Sequence, residues 1–474
     1  MNKNMTWEEE NDKIIEEMVK KRFRGLKSGQ TDSIELFITS TCNQNCEYCY
    51  LVKYEDQLYP KEFRDPQLIL KNLKMLFDYM IENDIAPSHM DIFSGEIWQT
   101  KFGLDILDSI LNDYIMRHPS KPLKEVVIPA NMFFIVDKEQ TMKIQQRINA
   151  YRQAGSDLIF SCSNDGALID RDIRVCNTEE QTMLKDTDTF YKDLFTFCVK
   201  NRYGFHPMVA ASSIEKWPEQ YDWWAENLLK YFSNTVEDKR ELLRFIMFLE
   251  VRNDDWTDEK ILSFLKFLNH KIDKCIDFFF DGDIYSALCH YFRIPNQSIN
   301  FEGNYSPLCL VPNGLDMQCS IERNFIIRLG DLSWVPCHRT SYEKFILGTF
   351  KVQDDKIIGM QAKNIPLMFA INGINCKGHI KCDTCPNAPV CMRGCYGSQF
   401  ENTGEIFYPV QSVCNLAFAK TLFLYHKYKN IVSKNTDAKF DIFEQNLNDL
   451  YQSCIQNFPK EIKDKWETKI IEII

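Results

Sequence analysis

The chain has 474 residues, 45% hydrophobic and 26% charged, values that exclude a disordered or fibrous protein. Lys and Arg number 56 against 67 Asp and Glu, a formal charge of −11, which argues against a nucleic-acid partner because counterion release needs a basic face. No apolar run approaches the ~20 residues of a membrane span, and MNKNMTWEEENDKIIEEMVKK lacks the apolar centre of an export signal, so a cytoplasmic protein without membrane contact is expected.

Residues 6–26 read as a charged amphipathic helix inside an N-terminal extension, 1–33. Strand-like and helix-like segments then alternate. The strands are expected at 34–39, 89–93, 126–130, 158–162, 206–211 and 243–251. The helices are expected near 66–80, 102–116, 138–150, 187–200, 217–231 and 257–272. Six such units over 34–272 predict an α/β fold with a parallel sheet, a partial (βα)6 TIM-like barrel rather than the full eight. Chemistry in such sheets sits just after the strands. The region 273–308 reads as a bridge. The stretch 309–431 is a Cys-rich domain with a hairpin, 325–329 and 332–336, around Gly330-Asp331, and 432–474 forms C-terminal helices. A helix is expected near 417–430. A last one carries Phe443, Leu447, Leu450, Tyr451, Cys454, Ile455 and Phe458 on one stripe.

Eighteen cysteines in a chain without an export signal are expected to be reduced thiols. Cys42, Cys46 and Cys49 lie in TSTCNQNCEYCYL, directly after the first strand. That spacing lets one loop wrap three thiolates around a small inorganic centre. A four-cysteine zinc site would need a fourth ligand nearby, and the next cysteine is Cys162. Three thiolates suit a four-iron cluster with one iron open to a substrate or cofactor.

With Tyr48 before the last cysteine, this trio resembles the signature of radical S-adenosylmethionine enzymes. The resemblance implies a partial barrel whose open iron chelates S-adenosylmethionine, with reductive cleavage to methionine and a 5′-deoxyadenosyl radical. Ser94-Gly95-Glu96-Ile97, at the end of strand two, is similar to the family's Gly-Gly-Glu-Pro, which holds the methionine amino group. Asn131 resembles the family's Thr-Asn-Gly turn, and Ser163-Asn164-Asp165-Gly166 its Ser-x-Asp-Gly, whose Ser contacts the ribose.

The second field follows C-x2-C-x5-C-x3-C through Cys382, Cys385, Cys391 and Cys395, with Cys414 beyond and Cys337, Cys319 and Cys309 upstream. A zinc ribbon is the simple alternative, but its cysteine pairs stand farther apart, and eight thiolates suit two four-iron clusters. The block resembles the SPASM extension of radical enzymes that act on peptides. By that resemblance Cys319, Cys337 and Cys395 bind a first auxiliary cluster and Cys382, Cys385, Cys391 and Cys414 a second. Cys309 is the candidate eighth ligand and Cys376 a substitute; without either, the first auxiliary cluster has an open iron. The cysteines at 162, 176, 198, 275, 289 and 454 are expected in the core. His338 is expected beside a ligand, and Trp223-Trp224 in packing.

The resemblance implies three [4Fe-4S] clusters, S-adenosylmethionine, and maturation of a ribosomally made precursor peptide by a thioether or carbon–carbon crosslink or a related change. A ferredoxin or flavodoxin is expected to supply electrons. Only 33 residues precede strand one, so leader recognition is expected from a separate leader-binding partner or from the bridge and C-terminal helices. The alternatives are a formylglycine-forming oxidase similar to anaerobic sulfatase maturases, and a non-catalytic Fe–S or zinc-stabilised binding protein. No acidic residue stands out as a general base.

Overall fold

A computed structural model describes residues 33–99, 102–118, 123–185, 187–290, 324–367, 380–388, 390–391 and 394–474. In chain order the principal elements are β1 (Ser33–Thr39), α1 (Tyr50–Leu58), α2 (Pro66–Glu82), β2 (His89–Ser94), α3 (Gly103–Ser109), β3 (Glu125–Ala130), α4 (Lys138–Gln153), β4 (Asp157–Cys162), α5 (Ala167–Ile173) and α6 (Asp188–Asn201). They continue with β5 (Met208–Val209), α7 (Trp217–Phe232), β6 (Leu249–Glu250), α8 (Asp258–Phe279), β7 (Asn324–Arg328), β8 (Ser333–Val335), β9 (Gly348–Gln353) and β10 (Lys356–Ala362). The helices α9 (Tyr396–Thr403), α10 (Gln411–Ser433), α11 (Asp441–Ser453) and α12 (Lys460–Ile473) complete the chain. The chain divides into two compact units, one of Met1–Cys162, Val175–Phe190 and Cys319–Cys376, the other of Ser163–Arg174, Tyr191–Gln318 and Lys377–Ile474.

The first unit is built on one sheet with the order β10-β9-β8-β7-β1-β2-β3-β4. From β7 to β4 neighbouring strands run parallel; β7 to β10 form an antiparallel meander. Parallel strands covered on both faces read as unbroken apolar runs. In β1, Ile34, Leu36, Phe37 and Ile38 are all buried, and Glu35 is buried with them. Helix α2 begins where Asp65 accepts the Gln67 N–H at 3.0 Å, with Pro66 in the first turn. Its buried stripe, Ile69, Leu73, Leu76, Phe77 and Met80, is the apolar face that the spacing predicts.

The second unit holds β5 and β6 as a short parallel pair, with α7 and α8 beside them and α10 to α12 behind. Its core is aromatic. Trp217, Tyr221 and Trp224 line the buried face of α7, and Trp217 meets Phe267 of α8 with ring centroids 5.8 Å apart. Trp223 packs on Tyr191, so the tryptophan pair serves packing as expected.

The architecture is mixed α/β with a parallel-strand sheet, as the alternation predicts. Strands five and six are shorter than expected. Pro207 has no N–H to give, and 211–216 turn into a 3-10 helix. Asp238 accepts from the Arg240 N–H at 2.8 Å and starts a second 3-10 helix over 239–245, which takes up the start of the expected strand 243–251. Helix α8 runs to Phe279, through the start of the expected bridge. The stripe of α11 is buried at Phe443, Leu447 and Leu450, but the helix breaks at Cys454 (φ −133°, ψ −69°) and Tyr451 is exposed. The expected helix at 6–26, and nearly all of the 1–33 extension, lie outside the described residues, as do Cys309, Cys319 and Cys376.

Candidate functional site

In the first unit the ends of three successive strands converge. The loop after β1 carries Cys42, Cys46 and Cys49. Its entry lies against the Ser94-Gly95-Glu96 turn after β2: Gly95 N–H donates to Thr39 O and Glu96 N–H to Thr41 O, both at 2.8 Å. A Cβ on Gly95 would stand 2.4 Å from Ser40 O and 2.5 Å from Thr41 O, so only glycine allows this approach. Glu96 is fully buried, and its Oε2 accepts the Asn131 N–H at 2.6 Å. The Asn131 amide donates to Asn43 Oδ1 at 2.7 Å and reaches Cys42 Sγ at 3.9 Å. Met132 then takes the left-handed conformation (φ 62°) where the family's turn has glycine.

This arrangement ties Cys42, Glu96 and Asn131 together. Asn177 adds a clamp that the cysteine spacing does not reveal, donating to Cys42 O and Asn43 O, each at 2.8 Å. Gln44 N–H donates to Cys42 Sγ at 3.4 Å, and Cys49 N–H to Cys46 O at 3.0 Å. Burial, then the carboxylate of Glu96, push the Cys42 thiol well above its ordinary range. Three thiolates beside a carboxylate need cationic charge to coexist. An iron–sulfur cluster with the ammonium of S-adenosylmethionine fits that donor set: thiolates for iron, Glu96 for the ammonium.

The hairpin of β7 and β8 brings Cys337 to the same unit. Arg328, fully buried, pairs with Asp331 in the turn and donates to Ser341 O at 3.0 Å. Ser341 Oγ donates to Leu58 O at 2.9 Å, which fastens the hairpin to the end of α1, the helix that starts after Cys49. His338 Nδ1 lies 2.7 Å from Glu35 Oε1, and its ring stacks on Phe93 at 3.8 Å and faces Tyr50 at 5.9 Å. Burial, then Cys49 and Cys337, raise the Tyr50 phenol.

Ser163 belongs to the second unit. There Asp165, of the same turn, accepts the Met208 N–H at 2.7 Å and so pins β5, while Asp170 accepts Asp165 N–H at 2.7 Å. Gly166, at φ 95°, closes the turn against Gln220.

The second unit also gathers Cys382, Cys385, Cys391 and Cys414 around one cavity of about 90 Å³, with the Glu250–Lys420 ion pair on its wall. Cys395 does not border it; it stands at the residue before α9 without a side-chain capping bond. Burial, then the three other cysteines, push the Cys414 thiol up to about 12. Cys454, expected only in the core, lies near this site: it is buried, its Sγ donates to Asn387 Oδ1 at 3.7 Å, and burial, then Cys385 and Cys391, push its thiol up to about 12. Among the described residues no group of His, Cys, Asp and Glu converges on a single metal ion. Four soft donors around a cavity suit a multinuclear iron–sulfur group. The other expected core thiols at 162, 176, 198 and 275 are buried, and Cys289 is half-buried. No described helix is long and apolar enough to cross a membrane.

No family model and no curated protein matches the chain by sequence. Solved structures do match. His-tagged anSMEcpe with bound AdoMet is 14% identical, over 92% of this chain and 98% of that one, with a TM-score of 0.49. Native anSMEcpe with bound AdoMet and Kp18Cys peptide is 16% identical, over 84% and 99%, at 0.48. Streptococcus suis SuiB bound to precursor peptide SuiA is 13% identical, over 81% and 76%, at 0.40. These neighbours are radical S-adenosylmethionine proteins, the class that the cysteine pattern resembles.

Proposed function

We propose that the chain is a radical S-adenosylmethionine enzyme that modifies a ribosomally made precursor peptide. The convergence of Cys42, Glu96 and Asn131 at three successive strand ends carries this reading. Cys42, Cys46 and Cys49 hold a [4Fe-4S] cluster, which when bound supplies the electron that cleaves S-adenosylmethionine to methionine and a 5′-deoxyadenosyl radical. Ser94, Gly95 and Glu96 receive the methionine ammonium. Asn131 N–H holds Glu96 in place, and Ser163 contacts the ribose. With S-adenosylmethionine bound, hydrogen would be taken from a peptide carbon. Joining that carbon to a thiol sulfur or a second carbon, in a thioether or carbon–carbon crosslink, would release one proton to solvent and one electron to an auxiliary cluster. A related change at the same carbon is the alternative.

Cys319, Cys337 and Cys395, with Cys309 or Cys376, hold a first auxiliary cluster; Cys382, Cys385, Cys391 and Cys414 hold a second. The cavity bordered by the last four supports that second assignment. A ferredoxin or flavodoxin supplies electrons, and a separate protein binds the leader. The test is iron and sulfide per chain after anaerobic reconstitution, with S-adenosylmethionine cleavage. Wild type is expected to hold about twelve irons; Cys42→Ala/Cys46→Ala/Cys49→Ala loses about four and all cleavage. Cleavage retained in the triple variant, or zinc in place of iron, refutes the reading.

A further inference from the structure

The wall of the cavity of Cys382, Cys385, Cys391 and Cys414 has two neutral polar side chains that cysteine spacing does not mark, Asn387 and Thr421. Asn387 lies between the second and third of these cysteines and is 1% exposed. Its main-chain oxygen accepts from Cys391 N–H at 2.9 Å and Val390 N–H at 3.2 Å, so the backbone is fixed against the third cysteine. Its side-chain Oδ1 accepts from Thr421 Oγ1 of α10 at 3.0 Å and from Cys454 Sγ, at the end of α11, at 3.7 Å. The Thr421 hydroxyl also reaches Ala417 O at 2.9 Å. It has one proton for two acceptors, so the Cys454 thiol becomes the second hold on the amide.

Among the described residues Asn387 Nδ2 has no hydrogen-bond partner. An amide whose oxygen faces two donors presents its NH2 on the remaining side, and this residue borders the cavity. Nδ2 keeps a little open surface although the residue is 1% exposed, so it meets the cavity, where a resident acceptor supplies a hydrogen bond worth about 0.5–1.5 kcal/mol.

We propose that Asn387 donates Nδ2–H to a sulfur of the group held by the four thiolates, and that Cys454 is a positioning residue that keeps the amide so turned. The proposal rests on the reading of an iron–sulfur group at this cavity. Donors to sulfur draw charge from the cluster and raise its reduction potential, so the end of α11 helps to set the potential of the second auxiliary site.

The experiment is an EPR-monitored redox titration of the reconstituted full chain in the Cys42→Ala/Cys46→Ala/Cys49→Ala background, with iron content measured in parallel. The signal followed is the one that Cys382→Ala/Cys385→Ala removes. Asn387→Leu and Cys454→Ala are expected to keep their iron and to shift that midpoint to lower potential. Cys454→Ser, which still donates, stays at the parent value. Unchanged midpoints in Asn387→Leu and Cys454→Ala overturn the proposal, and so does a Cys454→Ala shift that Cys454→Ser shares. Equal iron loss from both Cys454 variants overturns it too, because Cys454 would then be a ligand. The underlying reading fails separately, when Cys382→Ala/Cys385→Ala leaves the iron content unchanged.

Discussion

Replacing Gly95 by alanine tests the convergence at the three-cysteine loop. The new Cβ would stand 2.4 Å from Ser40 O, against 3.4 Å for an ordinary contact, and the obstacle is backbone that cannot rotate away. The two backbone segments must part by roughly 1 Å. The Gly95–Thr39 and Glu96–Thr41 hydrogen bonds, each 2.8 Å, then stretch beyond bonding range. Each buried group left unpaired costs about 1–3 kcal/mol, so the two lost bonds should make Gly95→Ala cost about 2–6 kcal/mol. The control is Gly155→Ala: φ is +80° there and nothing lies within 4 Å of the added carbon. Only backbone strain enters, less the entropy alanine removes from the unfolded chain, which leaves about 1 kcal/mol or less. Urea unfolding of both variants gives the comparison, and iron content shows whether the displaced loop still binds. A Gly95→Ala cost no larger than that of Gly155→Ala would refute the reasoning.

Three further outcomes are expected. Arg328→Met removes a buried cation that ties the turn, Ser341 and α1 together, and should cost about 3–5 kcal/mol in urea unfolding; a loss below about 1 kcal/mol would show that the hairpin is held by strand pairing alone. Met132→Gly should be at least as stable as Met132→Ala, against the usual order, because alanine at φ 62° carries about 1–2 kcal/mol of strain; a glycine variant weaker by about 1 kcal/mol would contradict this. His89 is raised to about 10 although burial opposes it, because Asp91 and Glu125 hold its proton, and Glu125 is lowered in turn by His89. The folded state therefore binds the proton more tightly. The stability this adds, about 1–2 kcal/mol after solvent screening, is complete below pH about 6.5 and is lost as pH rises toward 10. The gap in urea midpoint between wild type and His89→Gln should narrow across that window, and a constant gap would count against it.

The sequence carried the first four strands, because each is a short, largely apolar run that ends at a turn. It also put Cys42, Cys46 and Cys49 in one loop directly after the first of them, because their spacing leaves no room for a helix between them. Strands five and six were overread, because Pro207 and the capping Asp238 act locally and cut short what apolar content favours. Asn177, Asn387 and Cys454 were not legible as site residues: each acts on a partner 67 or more positions away or inside a cysteine loop, and a lone amide or thiol has no period. The role of Asp165 was also hidden: its motif marks Ser163 for ribose contact and gives Asp165 no task, whereas the Asp165 carboxylate pins β5.

The pairing of β7 with β1 makes the cysteine-rich part of the chain inseparable from what precedes it. Ser33 to Phe37 match Asn324 to Arg328 residue for residue, in parallel, across nearly 300 positions of chain. A fragment ending at the close of α8 would have a plausible cysteine inventory, yet it would leave β1, with Ile34, Leu36, Phe37 and Ile38 all buried in the full chain, as a bare edge. Such an edge templates pairing with a second chain. Attempts to express the barrel strands alone should therefore give aggregates, and the same pairing makes closure of the sheet a late folding event, one that waits for residue 324 to leave the ribosome.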